Sequence, residues 1–171
     1  MKMTRTQKLV FTALITALIT ISTMFIRIPL PLGYVNLGDA FIFLAVFLLG
    51  PLYGTIASGV GSAFADLLGF PLYAPGTLII KALMALLACL VYKLINKNQK
   101  LSILAEIVAG IVGAVVMAFG YFFYEILFFE TAGVAIVNVP WNLLQGAVGI
   151  VLSVVIMRIL KNTRLSEKFN D

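Results

Sequence analysis

The stretch Gly33-Tyr34-Val35-Asn36-Leu37-Gly38-Asp39 is the polar interruption between the first two hydrophobic runs of this 171-residue chain. Pro29 and Pro31 precede it and end the apolar run of residues 8–26. A second apolar run, residues 40–50, follows it at once. Because proline and glycine stop helices, the stretch is predicted to be a loop that joins two helices.

The composition shows that lipid is the main solvent of this chain. It is 62% hydrophobic and 11% charged, whereas soluble domains carry about 25% charged residues. The basic, apolar N-terminus resembles a signal peptide but lacks a small-residue cleavage pattern, so we expect a retained helix. Histidine is absent and Cys89 is the single cysteine, which argues against a metal site or a disulfide framework. We expect no cofactor.

Six apolar segments account for nearly the whole chain and predict an all-α bundle of six transmembrane helices in one domain, residues 1–171. The dipeptide Gly50-Pro51 separates the second segment from the third, and the Pro71 to Gly76 stretch is predicted to be the next turn. A spanning helix needs about 20 apolar residues. The predicted helices are residues 8–26, 40–50, 52–68, 77–94, 103–129 and 137–160.

The basic residues predict the orientation of the bundle. Most of the 12 Lys and Arg residues lie in three groups, and an even number of spans places all three groups on one side of the membrane. Positive charge marks the cytoplasmic side, so both termini are expected inside and the 33–39 loop outside. Nucleic acid is not expected as a partner, because the charges sit at helix ends. The three groups are Lys2, Arg5, Lys8; Lys93, Lys97, Lys100; and Arg158, Lys161, Arg164, Lys168.

Polar and aromatic residues gather at one depth, beneath the predicted outer loop. Ionisable groups in a membrane are costly and are functional candidates by default. At 1.5 Å per residue, the outer ends of four helices bring such groups within roughly 5–15 Å of the surface. Asn138 shares one helix face with Trp141, Asn142 and Gln145. The candidate substrate-binding residues are Asn36, Asp39, Asp66, Lys81, Tyr121, Tyr124, Glu125, Trp141, Asn142 and Gln145.

Such a pocket suits a small, flat, polar heterocycle. Tyrosine and tryptophan stack on rings, and Asn142 and Gln145 can each donate and accept hydrogen bonds. Lys81 could bind a phenolate or a hydroxyl group, and Glu125 could accept from a hydroxymethyl or amino group. No phosphate-binding Gly-Lys-Ser/Thr sequence is present, so ATP hydrolysis by that route is not expected.

Seven of the ten candidates also have a purely structural interpretation. A salt bridge between Lys81 and Glu125 would neutralise both charges. Asp66 has the alternative of capping a helix end or extending to the surface, and Asp39 has the alternative of only capping the second helix. Glu106 lies in the opposite half of the bundle and is not assigned to the site. Three aromatic residues have the alternative role of interfacial belt residues: Tyr121, Tyr124 and Trp141.

These features resemble the substrate-binding (S) component of an energy-coupling factor (ECF) vitamin transporter, over essentially the whole chain. The resemblance rests on the six-helix layout and on several short motifs. These are Ala13-x-x-x-Ala17, Val35-Asn36-Leu37-Gly38-Asp39, Leu49-Gly50-Pro51-Leu52-Tyr53-Gly54, Gly59-Val60-Gly61-Ser62-Ala63-Phe64-Ala65-Asp66-Leu67-Leu68 and Asn142-Leu143-Leu144-Gln145-Gly146.

The resemblance implies a high-affinity vitamin-binding subunit in a bacterial cell membrane, not an enzyme. It implies that Tyr34 to Asp39 act as a lid, with Gly33 and Gly38 as hinges. The Ala13 and Ala17 face would dock on a membrane coupling (T) subunit driven by two ATPase subunits. The branch that looks closest takes up pyridoxine (vitamin B6) or the hydroxymethylpyrimidine precursor of thiamin, and pyridoxine is preferred.

Other functions stay open at this point. Riboflavin or another small vitamin would use the same scaffold. A small membrane enzyme would use Glu125, Asp66 and Lys81 as acid and base groups, although histidine is absent. A channel built from several copies would pack through small residues and conduct ions without a partner.

Overall fold

The computed structural model describes residues 3–30, 33–97, 102–129 and 132–161. This part of the chain contains five helices long and apolar enough to cross a membrane, and one short β-hairpin. In chain order the elements are α1 (Arg5–Phe25), β1 (Arg27–Leu30), β2 (Gly33–Asn36), α2 (Gly38–Gly69), α3 (Ala74–Ile95), α4 (Ser102–Phe129) and α5 (Ala132–Lys161).

Helix α1 begins three residues before its predicted start at residue 8. Thr4 accepts a hydrogen bond from the Gln7 backbone N–H, and the Gln7 side chain accepts one from the Thr4 backbone N–H. This reciprocal capping box satisfies two N–H groups that a helix otherwise leaves unpaired. One face of α1 packs into the bundle through Ile15 and Ile19.

The predicted outer loop contains a short β-hairpin, and the five long helices otherwise confirm the predicted all-α class. Strands β1 and β2 pair antiparallel, with Arg27 opposite Asn36 and Ile28 opposite Val35. Runs of four residues are too short for alternating hydrophobicity to show. One residue, Leu37, separates β2 from α2. Asn36 and Gly38 therefore lie at the end of the bundle that the hairpin covers.

The expectation of six helices is also corrected. The predicted second and third helices belong to one helical element, α2, which is interrupted at Gly50. Gly50 has a φ of 74°, a conformation that glycine adopts without penalty, and Pro51 follows it. A Cβ atom on Gly54 would lie 2.9 Å from the carbonyl oxygen of Ala45. The two halves of α2 therefore fold back against each other at the predicted break.

Helices α3 and α5 both begin earlier than the sequence predicts, and each contains a proline. Pro75 is in the first turn of α3, a position where its missing N–H costs nothing, so the turn before α3 is shorter than the predicted Pro71 to Gly76. Helix α5 begins at Ala132, earlier than the predicted residue 137, and it includes Pro140.

Small residues let the helices approach closely around α2. A Cβ atom on Gly61 would lie 2.8 Å from the carbonyl oxygen of Thr16 on α1, and Thr20 Oγ1 donates to the Gly61 carbonyl at 2.8 Å. A Cβ atom on Gly149 would lie 2.9 Å from Asp39 Cβ. These contacts pack α1 against the second half of α2 and α5 against its first half.

Candidate functional site

A cavity of about 210 Å³ lies between the hairpin and the adjacent ends of the helices. Polar and aromatic side chains from all five helices and from β2 surround it. Its lining residues are Thr23, Asn36, Ser62, Asp66, Phe70, Tyr73, Thr77, Lys81, Tyr121, Glu125, Asn138, Trp141, Asn142 and Gln145.

Lys81 forms an ion pair at the base of this cavity. Its ammonium group donates to Asp39 Oδ1, and both side chains are buried. Lys81 Nζ also lies 2.8 Å from Met117 Sδ and 5.8 Å from the centre of the Tyr121 ring. Pairing compensates two charges that would otherwise be expensive inside a membrane. Asp39 is thus the counter-ion of Lys81.

Gln145 connects this ion pair to the hairpin. Its Nε2 donates to Asp39 Oδ2 at 2.8 Å. Its Oε1 accepts from Asn36 Nδ2 at 3.0 Å and from the Asn36 backbone N–H at 3.3 Å. Asn36 Oδ1 in turn accepts from the Gly38 N–H at 2.9 Å. A continuous hydrogen-bonded chain therefore runs from the hairpin through α5 to α2 and α3.

A second polar chain crosses the cavity from α2 to α4. Thr77 Oγ1 donates to Asp66 Oδ2 at 2.5 Å and lies 2.9 Å from the Tyr121 hydroxyl group. Asp66 is buried, with 7% of its surface exposed. Asp66 therefore does not extend to the surface, as one alternative had it.

Glu125 is held on the opposite wall. Asn138 Nδ2 donates to both of its carboxylate oxygens, at 3.0 and 3.2 Å, and the Tyr73 hydroxyl group donates to Oε1 at 3.3 Å. The predicted salt bridge between Lys81 and Glu125 does not form, because Lys81 pairs with Asp39. Within the described residues no basic side chain forms an ion pair with Glu125.

The structure brings together eight of the ten candidate substrate-binding residues around the cavity: Asn36, Asp66, Lys81, Tyr121, Glu125, Trp141, Asn142 and Gln145. Asp39 lies behind Lys81, and the alternative in which it caps α2 is wrong, because Leu37 is the N-cap and no side-chain cap forms. Tyr124 lies outside the lining; its hydroxyl group donates to the Leu72 carbonyl at 2.7 Å. It also packs against Phe128, as a belt residue would.

The predicted lid residue Tyr34 has a side chain that lies outside the described residues. Gly33 begins β2. At Gly38 the backbone does not need positive φ; instead, a Cβ atom there would lie 2.0 Å from Thr23 Oγ1. Close packing therefore explains this glycine better than a hinge does.

Six lining residues were not among the candidates assigned from the sequence, although Asn138 was placed on the helix face of three that were: Thr23, Ser62, Phe70, Tyr73, Thr77 and Asn138. Three of them had a usable signal, because Ser62, Thr77 and Asn138 each precede an assigned residue of the same helix by one turn. Ser62 Oγ is buried and has no hydrogen-bond partner among the described residues. It is thus a further candidate for contact with a bound molecule.

The chemistry of the cavity is that of a binding site for a polar ring. Tyr73, Tyr121 and Trp141 offer aromatic surfaces. Amide, hydroxyl and carboxylate groups supply both donors and acceptors. No group of three His, Cys, Asp or Glu side chains that could hold a metal ion occurs in the ranges that the structure describes.

The buried charge at the other end of the bundle has a structural explanation. Glu106 is fully buried and accepts from Arg158 through both carboxylate oxygens. Lys161 Nζ lies 3.2 Å from Glu106 Oε1. This cluster joins α4 to α5 and lies far from the cavity, as expected from the sequence.

Comparisons with known proteins agree with this architecture. The family described as "ECF-type riboflavin transporter, S component" matches residues 3–162. A Pyrococcus woesei protein described as "Uncharacterized protein in gap 3'region" is 33% identical over 136 residues, covering 78% of this chain and 88% of its own length. A solved structure, titled as the structure and mechanism of the S component of a bacterial ECF transporter, has a TM-score of 0.72. It is 23% identical and covers 93% of this chain and 98% of its own, which shows a shared fold.

Proposed function

We propose that this chain, which belongs to the family of ECF-type riboflavin transporter S components, binds a one-ring vitamin, pyridoxine in the first place. The chain is a substrate-binding subunit of a transporter and a multi-pass membrane protein. The proposal concerns the molecule that occupies the cavity.

The size of the cavity carries this proposal. Its volume of about 210 Å³ is below the roughly 300–1,000 Å³ that is typical of pockets for drug-sized ligands. A single substituted ring matches that volume better than three fused rings that carry a sugar-alcohol chain. The aromatic side chains of Tyr73, Tyr121 and Trp141 supply stacking surfaces for such a ring.

The polar groups support a ring that carries hydroxyl and hydroxymethyl substituents. Asp66 and Glu125 are acceptors on opposite walls, and Asn142 and Ser62 can donate or accept. The positive charge of Lys81 is already compensated by Asp39, so its role toward an acidic ring hydroxyl is weaker than the sequence suggested. Hydroxymethylpyrimidine has the same size and substituents and is the near alternative.

Riboflavin is the second candidate, because the family description names it. Its ring system would require the cavity to widen, and the hairpin is the part of the site that could move without disturbing helix packing. Transport of either substrate would need partner subunits. We propose a membrane coupling subunit with two ATPase subunits, both termini cytoplasmic and the hairpin outside.

Titration of the purified protein tests the proposal. Trp141 is the only tryptophan and lines the cavity, so its fluorescence reports binding. Pyridoxine or hydroxymethylpyrimidine is expected to change this fluorescence saturably and to raise the thermal unfolding temperature. Tight binding of riboflavin alone would favour the second candidate. If none of the three binds, the proposed range of substrates is wrong.

Two matched variants assign the binding to this cavity. Tyr121→Phe removes a hydroxyl group that faces the cavity, whereas Tyr124→Phe removes one that lies outside it. The first variant is expected to weaken binding about three- to tenfold, as the loss of one hydrogen bond does, and the second to leave binding unchanged. Equal effects would place the ligand elsewhere.

A further inference from the structure

A second and larger cavity, of about 910 Å³, opens at the end of the bundle where α1 begins and α5 ends. Helix α1 packs mainly on α2, and α5 packs on α4 and α2, so a gap remains between α1 and α5. We call this gap the basal groove. It is lined by Met3, Lys8, Phe11, Leu14, Ile15, Leu18, Val46, Phe47, Leu48, Leu49, Gly50, Pro51, Leu52, Tyr53, Tyr92, Lys93, Asn96, Lys97, Ser102, Met157, Leu160 and Lys161.

The long walls of the basal groove are apolar. The wall formed by α1 extends from Lys8 to Leu18, about 15 Å along the helix axis and half the thickness of the hydrocarbon core. Leu14 and Leu18 are 55% and 43% exposed, so the groove is open sideways to the bilayer. Phe47 and Met157 are buried at its floor. This shape fits a hydrocarbon chain that enters from the membrane.

The mouth of the groove is basic. It is lined by Lys8 on α1, Lys93 on α3, Lys97 just after α3 and Lys161 on α5, and its described lining contains no aspartate or glutamate. Lys161 also contacts Glu106 at 3.2 Å, which fixes its position near the mouth. Because Glu106 already compensates Lys161, the positive charge at the opening comes mainly from Lys8, Lys93 and Lys97, and it favours an anionic group there.

We propose that the basal groove binds one anionic phospholipid. The phosphate lies among the lysines at the mouth, and one hydrocarbon chain follows α1 past Phe11 and Leu14. Basic pockets between transmembrane helices on the cytoplasmic side bind anionic head groups in this way. The combination of a basic mouth with an apolar groove open to the bilayer favours a lipid over an acidic protein segment, which would leave the apolar depth unfilled. This site is separate from the substrate cavity and does not depend on which vitamin is bound.

Native mass spectrometry of the full chain tests the proposal. Delipidated protein in detergent is mixed with equal amounts of phosphatidylglycerol and phosphatidylcholine that carry identical chains. The protein is expected to retain one phosphatidylglycerol in preference to phosphatidylcholine. A head group near a membrane surface gains roughly fivefold in affinity for each lysine, so Lys93→Gln and Lys97→Gln should each lower retention about fivefold and the double variant more.

Arg5→Gln is the matched control, since Arg5 is exposed at the same end of the bundle but does not line the groove. It should keep the preference for phosphatidylglycerol. The proposal is overturned if the wild-type protein retains both lipids equally. It is also overturned if Arg5→Gln lowers the retention of phosphatidylglycerol as much as Lys97→Gln does. Equally tight binding of glycerol phosphate would identify a site for a free phosphate instead. If the groove lysines are protected from chemical labelling only when partner subunits are present, the groove is a protein-docking surface instead.

Discussion

Gln145 Nε2 donates a 2.8 Å hydrogen bond to Asp39 Oδ2 across 106 positions of sequence. The same side chain accepts from Asn36 on the hairpin, and Asp39 pairs with Lys81. The Gln145 side chain therefore joins the hairpin to α2 and α3 through hydrogen bonds. We propose that a bound molecule which competes for Gln145 would change this connection and so link occupation of the cavity to movement of the hairpin.

Gln145→Leu is expected to detach the hairpin. It removes both hydrogen bonds to Asn36 and the one to Asp39, which should lower the free energy of unfolding by about 1–2 kcal/mol, the range for polar contacts between transmembrane helices. Amide hydrogen exchange in the backbone of β2 should become faster. Asn142→Leu is the control. Asn142 lines the cavity from the same helix, but within the described residues it makes no hydrogen bond to the hairpin. If exchange in β2 is no faster in Gln145→Leu than in Asn142→Leu, the proposed attachment is wrong.

A double-mutant cycle tests the ion pair of Lys81 and Asp39. Lys81→Met and Asp39→Asn each leave one buried charge without its partner and should lower the free energy of unfolding by about 3–5 kcal/mol. The double variant removes both charges and should be more stable than either single variant. Thermal unfolding in the same detergent gives all four values. Additive losses would show that the two side chains act independently.

The gathering of the polar residues could be predicted from the sequence, but their pairing could not. Helical rise predicts one common level for these side chains, and eight of the ten predicted residues do line one cavity. Asp39 and Glu125 are both acids near helix ends, and only the packing of the helices decides which of them faces Lys81. The hairpin is too short to show a strand pattern. The break at Gly50-Pro51 could be predicted because this dipeptide interrupts helices. The positive φ of Gly50 could not be predicted from the sequence.

Gly54→Ala is expected to separate the two halves of α2. Its Cβ atom would lie 2.9 Å from the Ala45 carbonyl oxygen, and neither backbone can move far, so a loss of about 1–3 kcal/mol in the free energy of unfolding is expected. Gly133→Ala is the matched control, because a Cβ atom there meets nothing within 4 Å. Thermal unfolding compares the two variants, and equal unfolding temperatures would mean that the halves of α2 do not pack this closely.

Ala13→Trp tests whether α1 provides the docking face for a coupling subunit. Ala13 and Ala17 lie one turn apart on α1 and are both exposed on the outside of the bundle, away from the cavity. A tryptophan at position 13 would block close approach of a partner helix without touching the site. Substrate binding by the purified protein should therefore stay unchanged, whereas uptake by cells that also produce the partner subunits should fall at least tenfold. Val115→Trp, at a position on α4 that is 41% exposed, controls for the added bulk and should preserve uptake. Normal uptake by the Ala13→Trp variant would exclude this face as the docking surface, because close packing at Ala13 requires a small side chain.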